Sequence, residues 1–310
     1  MLTPMMQQYV ETKKQYEDCI LFYRLGDFYE MFFEDAVTGA REMEIALTRK
    51  ACGKGKDAPM CGVPYHAADT YIAKLIEKGY KVAIAEQIGD PALSKGLVER
   101  RVVRVVTPGT VVSDSILSEK ENSYLMSIYQ DGDGIGLCWC DISTGEFAAM
   151  QLLGENRRDA LYEQLIKLRP REILSNLSEE EDPELWEQAS QSDRMFISTP
   201  SGDIFSDRSC SDAIRSHFKT VSEKSVGLAP EDVPLLYRAV GALLSYLKRT
   251  QMQELSHLSA LRISELSSFM SLDRATIRNL EITETLFERK ESGSLLGVLD
   301  RCGTAMGSRR

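Results

Sequence analysis

The first part of the chain is organised around the run Leu21-Phe22-Tyr23-Arg24-Leu25-Gly26-Asp27-Phe28-Tyr29-Glu30. The apolar residues 19–23 predict a short strand, and Gly26-Asp27 predicts the turn that ends it. Phe28 follows this turn directly, so we expect its side chain to project outward. From residue 28 to residue 43 the apolar side chains recur at helical spacing, which predicts a helix.

Short strands and helices alternate on both sides of this run, which indicates a compact, mixed-sheet α/β domain over residues 1–112. The further predicted helices are 4–14 and 67–78. The further predicted strands are 44–48, 60–63, 81–87 and 102–107, with a loop at 51–57.

A second pattern begins after a predicted linker at residues 113–122. Three predicted strands, at 123–130, 135–142 and 147–153, are joined by short turns that contain glycine. Helices and strands then alternate to residue 198, so residues 123–230 resemble a ribonuclease-H-like α/β layout. Helices predicted at 233–253 and 275–283 indicate the start of an all-α core over residues 231–310, which we expect to be truncated.

The distribution of charge limits where a nucleic acid could bind. The net charge is −10, yet residues 1–112 contain 15 Lys/Arg and 15 Asp/Glu and are neutral. Any DNA-binding surface is therefore expected in this first domain. The seven cysteines form no CxxC pair, which argues against a disulfide scaffold, and no apolar run approaches the length of a membrane span. No secretory signal is visible, so a cytoplasmic location is expected.

The run 21–30 resembles the mismatch-probe motif of the bacterial MutS family of DNA mismatch repair proteins. Further blocks agree with that family in order and spacing. These are Thr3-Pro4-Met5-Met6-Gln7-Gln8-Tyr9, Gly62-Val63-Pro64-Tyr65-His66, Glu86-Gln87-Ile88-Gly89-Asp90-Pro91, Val106-Thr107-Pro108-Gly109-Thr110, Leu272-Asp273-Arg274-Ala275-Thr276, Arg278-Asn279-Leu280-Glu281 and Met306-Gly307-Ser308-Arg309. The Gly-x-x-x-x-Gly-Lys-Ser/Thr loop of the family's ATPase domain does not occur in these 310 residues, so an N-terminal fragment is expected.

The resemblance implies roles for particular residues. Phe28 would be an aromatic wedge that probes base stacking, and Glu30 would contact the disturbed base. Weaker candidates for DNA binding are Arg49, Lys50, Met60, Tyr65, His66, Lys95, Arg100, Arg101 and Arg104. No catalytic or metal-ligating residue is expected, and the chain is expected to have no enzymatic activity of its own.

Partners and cofactors follow from the same resemblance. Mismatched double-stranded DNA is the expected ligand, and the ribonuclease-H-like domain would be the family's connector domain, which faces MutL. The full-length family forms homodimers and uses ATP with Mg²⁺. This piece is expected to hold no cofactor, and a monomer is one expected state for it. No membrane partner is expected, and association with the nucleoid follows from DNA binding.

Other interpretations of these residues stay open at this stage. Phe28 could be a core residue, Glu30 could be a first-turn glutamate that favours the helix dipole, and His66 could be a structural histidine. The basic stretch 95–104 could be an ordinary solvated face.

Two further functions are also to be weighed. In one, the connector and core signal to MutL without strong DNA binding of their own. In the other, Asp141 and Glu146 belong to a metal-dependent nuclease. The nuclease is disfavoured because Asp141 stands just before a hairpin turn, where an acid is ordinary, and no further acids fall at suitable positions.

Overall fold

A computed structural model describes residues 2–53, 55–88, 98–111, 122–132, 134–190, 192, 195–200, 203–252, 255–264, 272, 274–288, 290–304 and 307. The chain forms two compact units. One is Met1–Ile116 with Leu247–Glu254, and the other is Leu117–Tyr246 with Leu255–Arg310. The predicted linker at 113–122 lies outside the described residues except for Asn122, and of the block 306–309 only Gly307 is described.

The first unit is built on a mixed six-stranded sheet. Its elements are α1 (Pro4–Gln15), β1 (Cys19–Leu25), β2 (Phe28–Phe32), α2 (Phe33–Met43), β3 (Thr48–Gly53), β4 (Lys56–Pro64), a 3-10 turn (Tyr65–Ala67), α3 (Ala68–Glu77), β5 (Lys81–Gln87) and β6 (Arg100–Val106). The strand order is β3-β4-β2-β1-β5-β6, in which β1 and β5 are parallel and the other neighbours are antiparallel. Helix α1 packs on one face through Met6 and Tyr9, and α2 covers the other face, where Gly39 adjoins Met31.

The helix predicted from residue 28 is wrong over its first five residues, which form strand β2. Gly26, with φ +59°, occupies the first position of a two-residue turn, and this turn pairs Phe28 with Leu25. Burial alternates along β2, with Phe28 exposed, Tyr29 buried and Glu30 partly buried. The helix begins only at Phe33, whose φ of +55° marks the change from strand to helix.

The strand predicted at 44–48 and the loop predicted at 51–57 are also wrong. Glu44 takes a left-handed conformation that ends α2, and the strand starts at Thr48. Gly55 has positive φ and lies in the turn of a β3–β4 hairpin, and Gly53, also with positive φ, is the last residue of β3 and pairs with Lys56. Two glycines that suggested a loop therefore mark a hairpin turn, because glycine adopts positive φ without steric strain.

One buried carboxylate ties the first unit together. Asp35, at the start of α2, accepts hydrogen bonds from the Leu21 amide and the Tyr9 hydroxyl, each at 3.0 Å, and pairs with Lys13 Nζ at 2.9 Å. Burial, followed by the charge of Asp35, raises the pKa of Tyr9 well above its usual value. Helices on opposite faces of the sheet are thereby joined to β1 through a single side chain.

The second unit contains a six-stranded mixed sheet with helices. Its elements are β7 (Tyr124–Asp131), β8 (Gly134–Asp141), β9 (Glu146–Leu153), α4 (Arg157–Leu168), β10 (Glu172–Ser175), α5 (Pro183–Ser190), β11 (Phe196–Ser198), α6 (Asp207–Phe218), a 3-10 turn (Glu223–Val226), α7 (Pro234–Gln251, whose last residues belong to the first unit), β12 (Arg262–Ile263), α8 (Arg274–Asn279) and α9 (Leu295–Leu299). The strand order is β11-β10-β7-β8-β9-β12.

The predicted order of strands and helices between residues 123 and 198 is confirmed. Strands β7, β8 and β9 form an antiparallel meander, and β10 and β11 add in parallel at its edge. Leu161, Leu165 and Leu185 of α4 and α5 pack on the sheet around Trp139. Helix α6 is not among the predicted elements, although the Ser206 hydroxyl accepts a hydrogen bond from a backbone amide at 3.2 Å, as a typical N-cap does.

We expect Asp35→Asn to destabilise the first unit by about 2–3 kcal/mol, because the variant loses the charge that accepts two buried hydrogen bonds and pairs with Lys13. Urea unfolding of the chain measures this change. Glu34→Gln, which alters an exposed carboxylate one position earlier, is the matched control and should change stability by under about 0.5 kcal/mol. Equal effects of the two variants would show that Asp35 does not hold the unit together.

Candidate nucleic-acid interface

Phe28 lies where the β1–β2 turn ends and strand β2 begins. Its backbone pairs with Leu25 on one side and with Pro64 on the other, and its side chain is 47% exposed. The outward projection expected from the sequence is confirmed, and the alternative that Phe28 belongs to the core is wrong. A large apolar ring held on a paired strand, rather than on a loose loop, is a rigid projection.

Glu30 shares a face of the sheet with Phe28, because alternate residues of a strand point to the same side. It stands opposite Gly62 on β4, where a Cβ would come within 3.5 Å of Glu30 Cγ. The carboxylate is 16% exposed, and its Oε2 pairs with Lys50 Nζ at 2.5 Å. The alternative of a first-turn helical glutamate is wrong, since Glu30 lies in a strand.

The β3–β4 hairpin brings further candidates to the same face. Lys50 reaches from β3 past the Phe32 ring, with its Nζ 5.7 Å from the ring centroid, to Glu30. Met60 on β4 is half-buried and stands opposite Phe32. Arg49 precedes Lys50 and is exposed. Phe28, Glu30, Lys50 and Met60 thus form one group, which we call the probe face.

Tyr65 is attached to the turn that carries Phe28. Its amide donates to the Asp27 carbonyl at 2.9 Å, and its ring, 45% exposed, lies 3.7 Å below the Arg24 guanidinium. His66 is exposed, and its ring stands edge-on to that of Tyr65 at 5.8 Å. The resemblance placed Tyr65 and His66 near Phe28. Tyr65 contacts the β1–β2 turn directly, and His66 lies beside Tyr65.

The arginines of β6 do not form one basic patch. Arg100 is half-buried and donates through Nε to the Arg24 carbonyl at 2.7 Å, so it supports β1. Arg101 is exposed and pairs with Glu99 at 3.1 Å. Arg104 is half-buried, and burial lowers its pKa, although the charge of Asp69 on α3 acts to raise it. The three described arginines differ in exposure and partners, and DNA contact by them stays a prediction. Lys95 lies outside the described residues.

Sequence reasoning missed a cluster that supports the turn from the other face of the sheet. Arg24 donates through Nε to the Gly26 carbonyl at 2.5 Å and lies 3.9 Å from Glu86. Tyr29 donates its hydroxyl to Glu86, and burial together with this hydrogen bond raises the pKa of Tyr29 to about 12. The available signal was position, because Arg24 and Glu86 both stand within the quoted motif blocks.

The two acids considered for a nuclease serve structural purposes in the second unit. Asp141 is fully buried, and its carboxylate accepts from the Ser123 and Ser143 amides at 3.1 and 2.8 Å. Glu146 accepts from the Tyr124 hydroxyl at 2.6 Å and pairs with Arg262 at 3.2 Å. Within the described ranges, no three His, Cys, Asp or Glu residues cluster as a metal site would require.

No helix in the described part of the chain has the length and apolar character needed to cross a membrane.

Comparison with protein-family models gives three matches in order along the chain. Residues 3–115 match MutS domain I, residues 123–259 match MutS domain II, and residues 275–310 match MutS domain III. The chain therefore contains, in order, an α/β unit that matches MutS domain I and a meander-based α/β unit that matches MutS domain II.

Relatives over nearly the full chain agree. The DNA mismatch repair protein MutS of Acetivibrio thermocellus is 49% identical over 309 residues, that of Ruminiclostridium cellulolyticum 48% over 308, and that of Clostridioides difficile 45% over 308. Each comparison covers 99% of this chain and 31–35% of the relative. The chain belongs to the MutS family and spans about a third of the length of these relatives.

We expect Arg24→Lys to destabilise the first unit by about 1 kcal/mol, because lysine keeps the charge but loses the planar contact with Tyr65. Urea unfolding is again the measurement. Arg41→Lys is the control, since Arg41 is an exposed arginine whose ion partner is the adjacent Glu42. If both substitutions change stability equally, the stacked guanidinium has no particular part in holding the turn.

Proposed function

We propose that this chain recognises mispaired or unpaired bases in duplex DNA, with Phe28 as the wedge and Glu30 as the group that contacts the disturbed base. The observation that carries the proposal is the placement of an exposed aromatic ring and a carboxylate on one face of the same strand, within the region that matches MutS domain I. The names of the relatives, as DNA mismatch repair proteins, support it.

The energetics explain how a wedge discriminates without reading each base pair. Unstacking one base step costs a few kcal/mol, and bending the duplex adds roughly 1–6 kcal/mol. Stacking a base on one aromatic ring returns about 1–3 kcal/mol. Insertion is therefore unfavourable at a well-paired step and becomes favourable where pairing and stacking are already weak.

Glu30 adds a second basis for discrimination. A carboxylate beside DNA is repelled by the phosphates, so it weakens binding to ordinary duplex. At a mispaired step, a base with an unpaired donor can give the carboxylate a hydrogen bond that offsets the repulsion. Wedge and carboxylate lie on one face, so both act at the same base step.

We further propose that this chain has no catalytic activity and holds no cofactor of its own, while ATP and Mg²⁺ belong to the full-length family. Homodimerisation and contact with MutL through the second unit are further proposals. The acidic surplus outside the first 112 residues suits a protein-facing surface better than a DNA-facing one. A cytoplasmic, nucleoid-associated location follows from DNA binding.

Phe28→Ala should reduce the preference for a duplex with one G·T mismatch over the paired duplex by about tenfold, because one stacking contact of roughly 1–3 kcal/mol is lost. Fluorescence anisotropy with both duplexes, titrated at several salt concentrations, measures the preference. Phe287→Ala removes an even more exposed phenylalanine from the other unit and should leave the preference unchanged.

The outcomes separate the two functions under consideration. A Phe28→Ala variant that keeps the wild-type preference would exclude the wedge. A wild-type chain with no preference at all, but with measurable binding to MutL, would favour the signalling fragment instead.

Glu30→Gln should bind the fully paired duplex about three- to tenfold more tightly, because the amide keeps the shape and removes a negative charge beside the phosphates. The same anisotropy titration gives the affinity. Glu34→Gln, an exposed glutamate of α2, serves as the control and should have little effect. Weaker binding of Glu30→Gln to both duplexes would rule out the repulsion account.

A further inference from the structure

The carboxylate that we assign to base recognition is already engaged. Glu30 Oε2 lies 2.5 Å from Lys50 Nζ, and this is the ion pair that the described residues show for Glu30. Neither residue is deeply buried, since the Glu30 side chain is 16% exposed and that of Lys50 is 35% exposed. A base that reached the probe face would meet a carboxylate whose charge is balanced by lysine.

The position of Lys50 suits an ion pair with Glu30 that can break and re-form. The residue stands on β3, two strands away from β2, and its side chain crosses the Phe32 ring to reach Glu30. Partly exposed ion pairs of this kind stabilise proteins only weakly, because solvent screens the charges and a long side chain must be held in one conformation. Lysine also carries a compact charge on a flexible stem, so it can move to another anion without a change in the backbone.

We propose that Lys50 is shared between two anions: it holds Glu30 in the free protein and moves to a backbone phosphate when a duplex lies on the probe face. This inference rests on the proposed function and concerns when the probe carboxylate becomes available. The exchange leaves Glu30 as an anion without a counterion. At a paired step that state is unfavourable, whereas at a mispaired step a base donor replaces the lysine. Lys50 therefore contributes to discrimination although it does not read a base.

A double-mutant cycle tests the exchange on the fully paired duplex. The four proteins are the wild type, Glu30→Gln, Lys50→Met and the double variant, each checked by circular dichroism and urea unfolding. If Lys50 leaves Glu30 on binding, Glu30→Gln removes both the phosphate repulsion and the loss of the ion pair. In the Lys50→Met background only the repulsion remains to be removed. The gain in affinity should then be smaller by about two- to fivefold.

The sign of the coupling decides between exchange and a static pair. If Lys50 stays on Glu30 in the complex, the pair is nearly neutral, so Glu30→Gln gains little in the wild type and more in Lys50→Met. An equal or larger gain in the Lys50→Met background therefore overturns the proposal. Salt dependence gives a second readout, because a transferred lysine makes one phosphate contact, and Lys50→Met should lower the slope of log affinity against log salt by about 0.9. An unchanged slope also counts against it.

Lys56→Met is the matched control, since Lys56 is an exposed lysine on the same hairpin. Whatever its effect on the slope, its effect on affinity should be additive with that of Glu30→Gln. Lys50→Gln is a second variant if Lys50→Met does not fold, and Lys50→Arg should keep the coupling. Failure of the proposed function is a separate result, because it shows as a wild-type chain with no preference for the G·T duplex, whatever the cycle gives.

Discussion

The antiparallel pairing of β1 and β2 across Gly26 and Asp27 is the constraint on which the candidate interface depends. A two-residue turn leaves no freedom of register, so Phe28 is fixed opposite Leu25 and Glu30 opposite Tyr23. Strand alternation then places the ring and the carboxylate on one face. In a helix, two residues separated by two positions would point to nearly opposite sides. In the proposed function, the turn therefore determines whether Phe28 and Glu30 can act on the same base.

The turn is held by Arg24 and Tyr65 and not by Phe28 or Glu30. Arg24 binds the Gly26 carbonyl, and the Tyr65 amide binds the Asp27 carbonyl. Deeper in the unit, Asp35 connects β1 with helices on both faces. Because none of these contacts involves the Phe28 side chain, the ring can remain half-exposed while the turn is held. An exposed ring on a paired strand is available to a binding partner without disturbance of the core.

The sequence predicted the α/β class, most strands of both sheets and the exposed position of Phe28, because these follow from periodicity and from glycine turns. It failed at residues 28–32, where Phe-Tyr-Glu-Met-Phe fits the spacing of a strand as well as that of a helix. Only the pairing with β1 and β4 decides between them. The Lys50–Glu30 pair was equally inaccessible, since it joins residues two strands apart and depends on the register of a hairpin that the sequence suggested was a loop. Arg100 and Arg101 are adjacent in β6, so strand alternation alone directs their side chains to opposite faces of the sheet.

If the chain recognises mispaired bases as proposed, it must bind paired duplex weakly, and the balanced charges of residues 1–112 fit that requirement. Residues 1–112 contain equal numbers of acidic and basic side chains, so no strong general attraction to phosphate is available. The charge of Lys50 is likewise balanced, because Lys50 forms an ion pair with Glu30 in the free protein. In the proposed exchange, the gain from a phosphate contact of Lys50 is reduced by the loss of its ion pair with Glu30. Under that proposal, net attraction arises chiefly where a disturbed base compensates Glu30, so selectivity comes from the balance between two weak interactions and not from the strength of either.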